Sequence, residues 1–161
     1  MSREVVVVLP YAGRRILMQL RDAKEGISCP GSWGFFGGSI DGCETPAESA
    51  KREVFEELGY APPSLRKLHT GRIRDLGNIR SHAYYCPLTV SLEELVLREG
   101  MDLGLFSRKE IRTRALYSAR MRRSFPVAPT TYIVETIERL LQRLRARASV
   151  NKEGAGNGQS V

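Results

Sequence analysis

Glu53, Glu56 and Glu57 stand at i, i+3 and i+4 in the run REVFEELGY, a spacing that puts three carboxylates on one face if the run is helical. Like charges that close together weaken a helix unless something cationic sits among them. A set of oxygen donors suits a hard divalent ion. The plain alternative is a solvated face knitted by i,i+4 pairs such as Glu48 with Arg52. From Glu44 to Glu57 there are five acids (Glu44, Glu48, Glu53, Glu56, Glu57) against two bases (Lys51, Arg52), although the whole chain carries a net charge of +7. A basic chain around an acidic pocket favours an anionic partner: a nucleotide, a nucleic acid or an acidic surface.

Carboxylates can act together only on a helix with fixed ends. Thr45 reads as the N-cap, Pro46 as N1 and Glu48 as N3 of a capping box. Ala47, Ala50, Val54 and Leu58 form the apolar stripe, and Gly59 supplies the C-terminal stop. Upstream, Glu4 to Leu9 (EVVVVL) lacks alternation and reads as a strand buried on both faces. Arg15 to Leu20 reads as its hairpin partner, after a turn at Tyr11 to Gly13. Gly26, Pro30 and Gly31 mark a loop from Arg21 to Ser32. Trp33 to Phe36 is a short aromatic strand, read as core or as a stacking surface for a nucleobase, and Gly37 and Gly38 allow close backbone approach.

Downstream, Leu65 to Leu76 and Ile79 to Val90 read as strands joined at Gly77-Asn78. Ser91 to Glu99 fits helix and strand equally. Met101 to Phe106 is expected as a strand and Ser107 as the cap of a helical turn through Ile111. The arginines at 112, 114, 120, 122 and 123 read as a mobile basic loop or as phosphate or RNA contacts. Thr130 to Ala148 has helical apolar spacing.

The chain has 161 residues, which suits one domain, expected over 1–148, with 149–161 as a disordered tail. No apolar run reaches the length of a membrane span, and MSREVVVVLPY is too short in its apolar block for a signal peptide. A cytoplasmic location is expected. Cys29, Cys43 and Cys86 cannot all pair and form no C-x-x-C, which points to reduced thiols rather than zinc or redox chemistry.

Gly38, Glu44, Arg52, Glu53, Val54, Glu56, Glu57, Gly59 and Tyr60 occupy every fixed position of the pattern G-x5-E-x7-R-E-U-x-E-E-x-G-U, where U is bulky and apolar. The chain therefore resembles the Nudix hydrolase family. Tyr60 departs in being aromatic where an aliphatic residue is usual, and Phe36 stands where members often have proline. The resemblance implies an α/β fold, an α/β/α sandwich around a mixed sheet, and hydrolysis of a diphosphate bond in a nucleoside diphosphate joined to another group. It implies Mg²⁺ or Mn²⁺, with Glu56 and Glu57 as principal ligands, a backbone carbonyl at Gly37 or Gly38 as another, and Glu53 as ligand or general base. Arg52 is expected to orient the glutamates and Glu44 to lie near the metal or to pair with Arg52. In some members the base lies outside this motif; Glu93, Glu94 and Glu99 occupy that region, and Glu99 is the preferred candidate. The expected substrate is a nucleoside triphosphate, damaged or not, or a nucleotide sugar, handled by a monomer or homodimer. The alternative is a non-hydrolytic module that binds a nucleotide or RNA.

Overall fold

The valine run without alternation becomes the spine of the sheet. In the computed structural model, which describes residues 3–155, the elements follow in the order β1 (Glu4–Ala12), β2 (Arg15–Leu20), β3 (Trp33–Gly34), α1 (Pro46–Leu58), β4 (Arg66–Ile73), β5 (Ile79–Pro87), β6 (Asp102–Ser107), α2 (Arg108–Ile111), β7 (Ala115–Ser118), β8 (Arg123–Pro126) and α3 (Thr130–Ala155). β1 runs parallel to β5 from Glu4 to Tyr11 and antiparallel to β2 only beside their turn, at Tyr11 and Ala12. Beyond that point the two strands part, and the chain after β3 fills the gap through bridges of Phe36 to Val8 and Ser39 to Val5. β4 completes one edge against β5, and β6 pairs antiparallel along all of β2.

The absence of alternation in β1 has its reason in two layers. Val6 and Val8 pack on one face with Leu17, Phe36, Ala50, Val54 and Leu58, under α1. Val5, Val7 and Leu9 face the opposite cluster, which includes Met18, Trp33, Ile133, Ile137 and Leu140 of β2, β3 and α3. The result is the expected α/β/α sandwich around a mixed sheet. No helix among the described residues is long and apolar enough to cross a membrane.

Several boundaries differ from the sequence reading. β1 continues through Ala12, so the turn falls at Gly13 and Arg14. A 3₁₀ turn at Arg74–Leu76 ends β4, and another at Leu92–Glu94 opens the ambiguous segment, with Ser91 and Glu94 in a capping box. The arginine-rich loop is instead a hairpin, β7 with β8. It was hidden because its turn holds Arg122 at φ 55 where glycine would have signalled it, and only Leu116, Ser118 and Phe125 are buried among its strand residues. α3 continues to Ala155, past the expected boundary at 148. The rest of the expected tail, 156–161, lies outside the described residues.

α1 ends where its caps say it should. Thr45 accepts from the Glu48 N–H (3.3 Å), the Glu48 carboxylate accepts from the Thr45 N–H (2.7 Å), and Gly59 closes the helix at φ 61. Tyr60 is buried, and its hydroxyl donates to the Pro87 carbonyl at 2.8 Å, a partner that an aliphatic residue would lack. Replacing Thr45 with Ala is expected to lower stability by about 1 kcal/mol, and Thr45→Asp to retain it, as read by urea denaturation.

Candidate active site

α1 packs against β1 and β5, with Glu57 buried on its inner side, Glu53 half-buried and Glu56 exposed. Glu57 is only 4% exposed. Its carboxylate is held from two sides: Gln19 Nε2 of β2 donates to Oε1 at 2.8 Å, and the Gly37 N–H donates to Oε2 at 2.8 Å. Burial pushes its pKa up to about 7, against the lowering effect of those two donors, while Glu53 and Glu99 add repulsion. Glu53 is raised as well, first by burial, with Arg52 opposing and Glu56 and Glu99 contributing.

Glycine is required beside both carboxylates. A Cβ on Gly38 would stand 2.5 Å from Glu53 Oε1, and one on Gly37 would overlap the Val6 carbonyl oxygen. Gly37 itself sits at φ 131, a conformation that other residues rarely adopt. The Gly38 carbonyl accepts from the Val6 N–H at 2.9 Å, which leaves its second lone pair for another partner.

Arg52 is the cation at the centre of the acidic group. Its Nη2 donates to Glu44 Oε1 (2.7 Å), and its Nη1 donates to Glu53 Oε1 (2.9 Å) and Glu56 Oε2 (3.1 Å). Further bonds to the Ser39 carbonyl and Ser49 Oγ anchor the guanidinium. Hydrogen bonding from Arg52, and from the Asp41 N–H, pulls the Glu44 pKa down to about 2. The same pairing with Glu44 raises the pKa of Arg52, which keeps it charged.

Glu99 comes from the far side. The Val96 and Arg98 N–H groups donate to the Leu58 and Glu57 carbonyls of α1, and the Met101 N–H to the Leu20 carbonyl of β2. Between them Gly100, at φ 92, lies so close to Leu20 that a Cβ would come 2.7 Å from its carbonyl oxygen. This brackets Glu99 between helix and strand, near enough to act on both Glu53 and Glu57. Glu94 is committed to its capping box with Ser91 and Glu93 is exposed, so of the three candidates only Glu99 joins the group.

Gln19 was not foreseen. The signal was there, since it is the single uncharged polar residue in RILMQL, and a polar residue 2% exposed within an apolar strand needs a specific partner. Of the aromatic residues read as core or stacking surface, all three are buried in the core, and Phe35 and Phe36 also border a cavity.

Among the described residues no three acidic, histidine or cysteine side chains converge as a finished metal cage. Arg52 draws Glu44, Glu53 and Glu56 to itself, while Glu57 is turned to Gln19 and Gly37. The donors nevertheless fit a hard divalent cation: they are all oxygen, and a buried carboxylate beside a half-buried one favours its charged form only with added positive charge.

A family model described as the NUDIX domain matches residues 1–126. A search of curated proteins finds no match to the chain. Among solved structures, the MutT NUDIX hydrolase from Burkholderia pseudomallei aligns with a TM-score of 0.64 at 21% identity, over 86% of this chain and 98% of its own. The NUDIX domain of Shewanella oneidensis NrtR, complexed with ADP ribose, gives 0.61 at 17% identity over 89% of each chain. An ADP-ribose pyrophosphatase from Streptococcus suis gives 0.61 at 17%, over 90% of this chain and 93% of its own. At these identities the likeness establishes the fold.

The raised pKa of Glu57 sets a pH dependence. A carboxyl whose folded pKa exceeds its unfolded value stabilises the fold below the unfolded value, and that contribution is lost as pH rises through the folded one. Metal-free protein is therefore expected to melt at lower temperature as pH rises from 5 to 8, through the pKa of about 7. Saturating Mn²⁺ is expected to oppose that fall, and Mn²⁺ affinity to rise over the same window as the site gives up its proton. Glu57→Gln should flatten the metal-free slope in thermal melts followed by circular dichroism.

Proposed function

The chain belongs to the Nudix hydrolase family, and on that premise we propose that it hydrolyses the diphosphate linkage of a nucleoside diphosphate joined to a further group, by attack of water on phosphorus with Mg²⁺ or Mn²⁺ bound. The further group is phosphate, as in a nucleoside triphosphate intact or oxidised, or a sugar. ADP ribose, which is bound in the Shewanella structure, belongs to this same chemical class. The observation that carries the reading is the pair of carboxylates, buried Glu57 and half-buried Glu53, held against the Gly37-Gly38 backbone with Glu99 close enough to repel both.

When bound, the metal neutralises phosphate oxygens and makes water a better nucleophile. Glu56 and Glu57 would hold it, with Glu53, Glu44 and a carbonyl at Gly37 or Gly38 completing the oxygen set. Gln19 and the Gly37 N–H fix the direction of Glu57, and a ligand held in that way loses little freedom on binding. Arg52 spaces Glu53 from Glu56 and keeps Glu44 ionised. The water proton goes to Glu53 or to Glu99. Burial raises the proton affinity of Glu53 as a general base requires, whereas Glu99 stands on an exposed loop with its backbone pinned at Gly100. We place the activity in the cytoplasm, a reading supported by three free thiols, and in a monomer or homodimer.

The test is release of phosphate or pyrophosphate from a panel of nucleoside triphosphates, nucleotide sugars and ADP ribose, with Mg²⁺ or Mn²⁺. Glu53→Gln and Glu57→Gln are expected to lower kcat by about 100-fold or more. Glu99→Gln should do the same if Glu99 is the base, and a near-normal rate returns that role to Glu53. A wild-type protein inert on the whole panel that still binds nucleotide or RNA overturns the proposal in favour of a binding module.

A further inference from the structure

The β7–β8 hairpin carries positive charge that the fold uses only in part. Arg112, Arg114, Arg120, Arg122 and Arg123 are exposed in or beside it, and Glu110 is the one acid between Arg108 and Arg123. Among the described residues Arg114, Arg120 and Arg122 have no ion-pair partner. Two of these three sit where glycine is usual, Arg114 at φ 65 and Arg122 at φ 55. A left-handed backbone strains any residue with a Cβ, yet both positions hold an arginine.

The same hairpin presents an aromatic ring to solvent. Leu116 and Phe125 stand opposite each other and are buried, so the next pair, Tyr117 and Ser124, faces away from the core. Tyr117 is 58% exposed and Met121, at the tip, 39%. The ring therefore stands between Arg112 and Arg114 at one end of the hairpin and Arg120 and Arg122 at the other. The root of this surface is fixed, since Trp33 Nε1 donates to the Leu116 carbonyl at 3.0 Å. Asp102 of β6 holds the tip, accepting from the Ser118 hydroxyl at 2.6 Å and from the Arg120 N–H at 3.3 Å. Asp102 follows Glu99 by three residues, a reach of about 10 Å of extended chain, so the tip stands beside the acidic site.

We infer that the hairpin docks single-stranded nucleic acid, with Tyr117 stacking on a base and the arginines on either side taking the phosphates. An unpaired strand alternates flat rings with anionic groups, and the hairpin alternates their counterparts. The arginine fork matches phosphate oxygens. In a duplex the base faces are already stacked on one another, which leaves nothing for Tyr117. An acidic peptide satisfies the arginines and offers the ring no regular partner. The inference goes beyond the hydrolase reading and does not depend on turnover.

Fluorescence anisotropy of a labelled oligouridine strand, without metal and over a range of salt, reads the binding directly. Wild-type protein is expected to bind it about tenfold or more tightly than a duplex with the same number of phosphates, or than polyglutamate of equal charge. Tyr117→Ala should weaken strand binding about tenfold and leave its salt dependence unchanged. Arg114→Gly combined with Arg122→Gly keeps a residue suited to each left-handed position, so it should melt close to wild type. It should nevertheless lower the slope of log K against log salt by about 1.4, the share of two phosphates on a single strand. Both variants are expected to hydrolyse free nucleoside triphosphate as wild type does. Thermal melting identifies a variant that fails to fold, and the other then carries the test. Duplex or polyglutamate bound as tightly as the strand, no strand binding by wild type, or wild-type binding by the folded variants overturns the inference even if nucleotides are hydrolysed. A protein that binds the strand as described yet hydrolyses nothing upholds the inference and overturns the hydrolase reading.

Discussion

The buried carboxylate of Glu57 constrains the rest of this molecule. It lies where α1, β2 and the Gly37-Gly38 segment meet, and donors from the last two hold its oxygens at 2.8 Å each. Turning α1 by one residue would swing Glu57 away from both, leaving Gln19 buried without its acceptor and a charge without donors. The helix is therefore seated by polar bonds as well as by Ala50, Val54 and Leu58 in the core. That seating needs glycine at position 37, where any Cβ would overlap the Val6 carbonyl, and so it reaches back to the central strand.

Charge is arranged around this point in two zones. Near the helix, Arg52 serves Glu44, Glu53 and Glu56 at once, which keeps the carboxylates together despite their repulsion. Away from it, the excess of positive charge is partly used in folding. Arg108 pairs with Glu138 at 2.6 Å, and Arg123 lies over the Phe125 ring at 4.5 Å. The arginine-rich third of the chain thus builds a hairpin and braces α2 against α3, in place of a loose basic loop.

The two faces of the sheet share one stretch of backbone. Gly37 and Gly38 meet the carboxylates of α1 on one side and border the cavity under α3 on the other. Because neither residue carries a side chain, the acidic site and the apolar cavity are separated by little more than the thickness of the chain. The splaying of β1 from β2 makes this arrangement available, since only a strand pair that opens lets a third segment pass between them.

Much of this was legible in the sequence because it is local. The cap at Thr45 and Pro46, the stop at Gly59 and the spacing of Glu53, Glu56 and Glu57 depend on the period of the helix and on bonds between near neighbours, which residue types decide alone. The unbroken valines of β1 likewise declared two covered faces. What could not be read lies in contacts between residues far apart in the chain. Gln19 meets Glu57 across 38 positions, and the arginine-rich hairpin closes on a turn without glycine. Residue type and spacing determined that a carboxylate helix would exist and where it would start and stop. Only the tertiary structure decided which donors hold those carboxylates and what lies on the other side of the glycines, because burial and hydrogen bonding at long range depend on how the strands diverge.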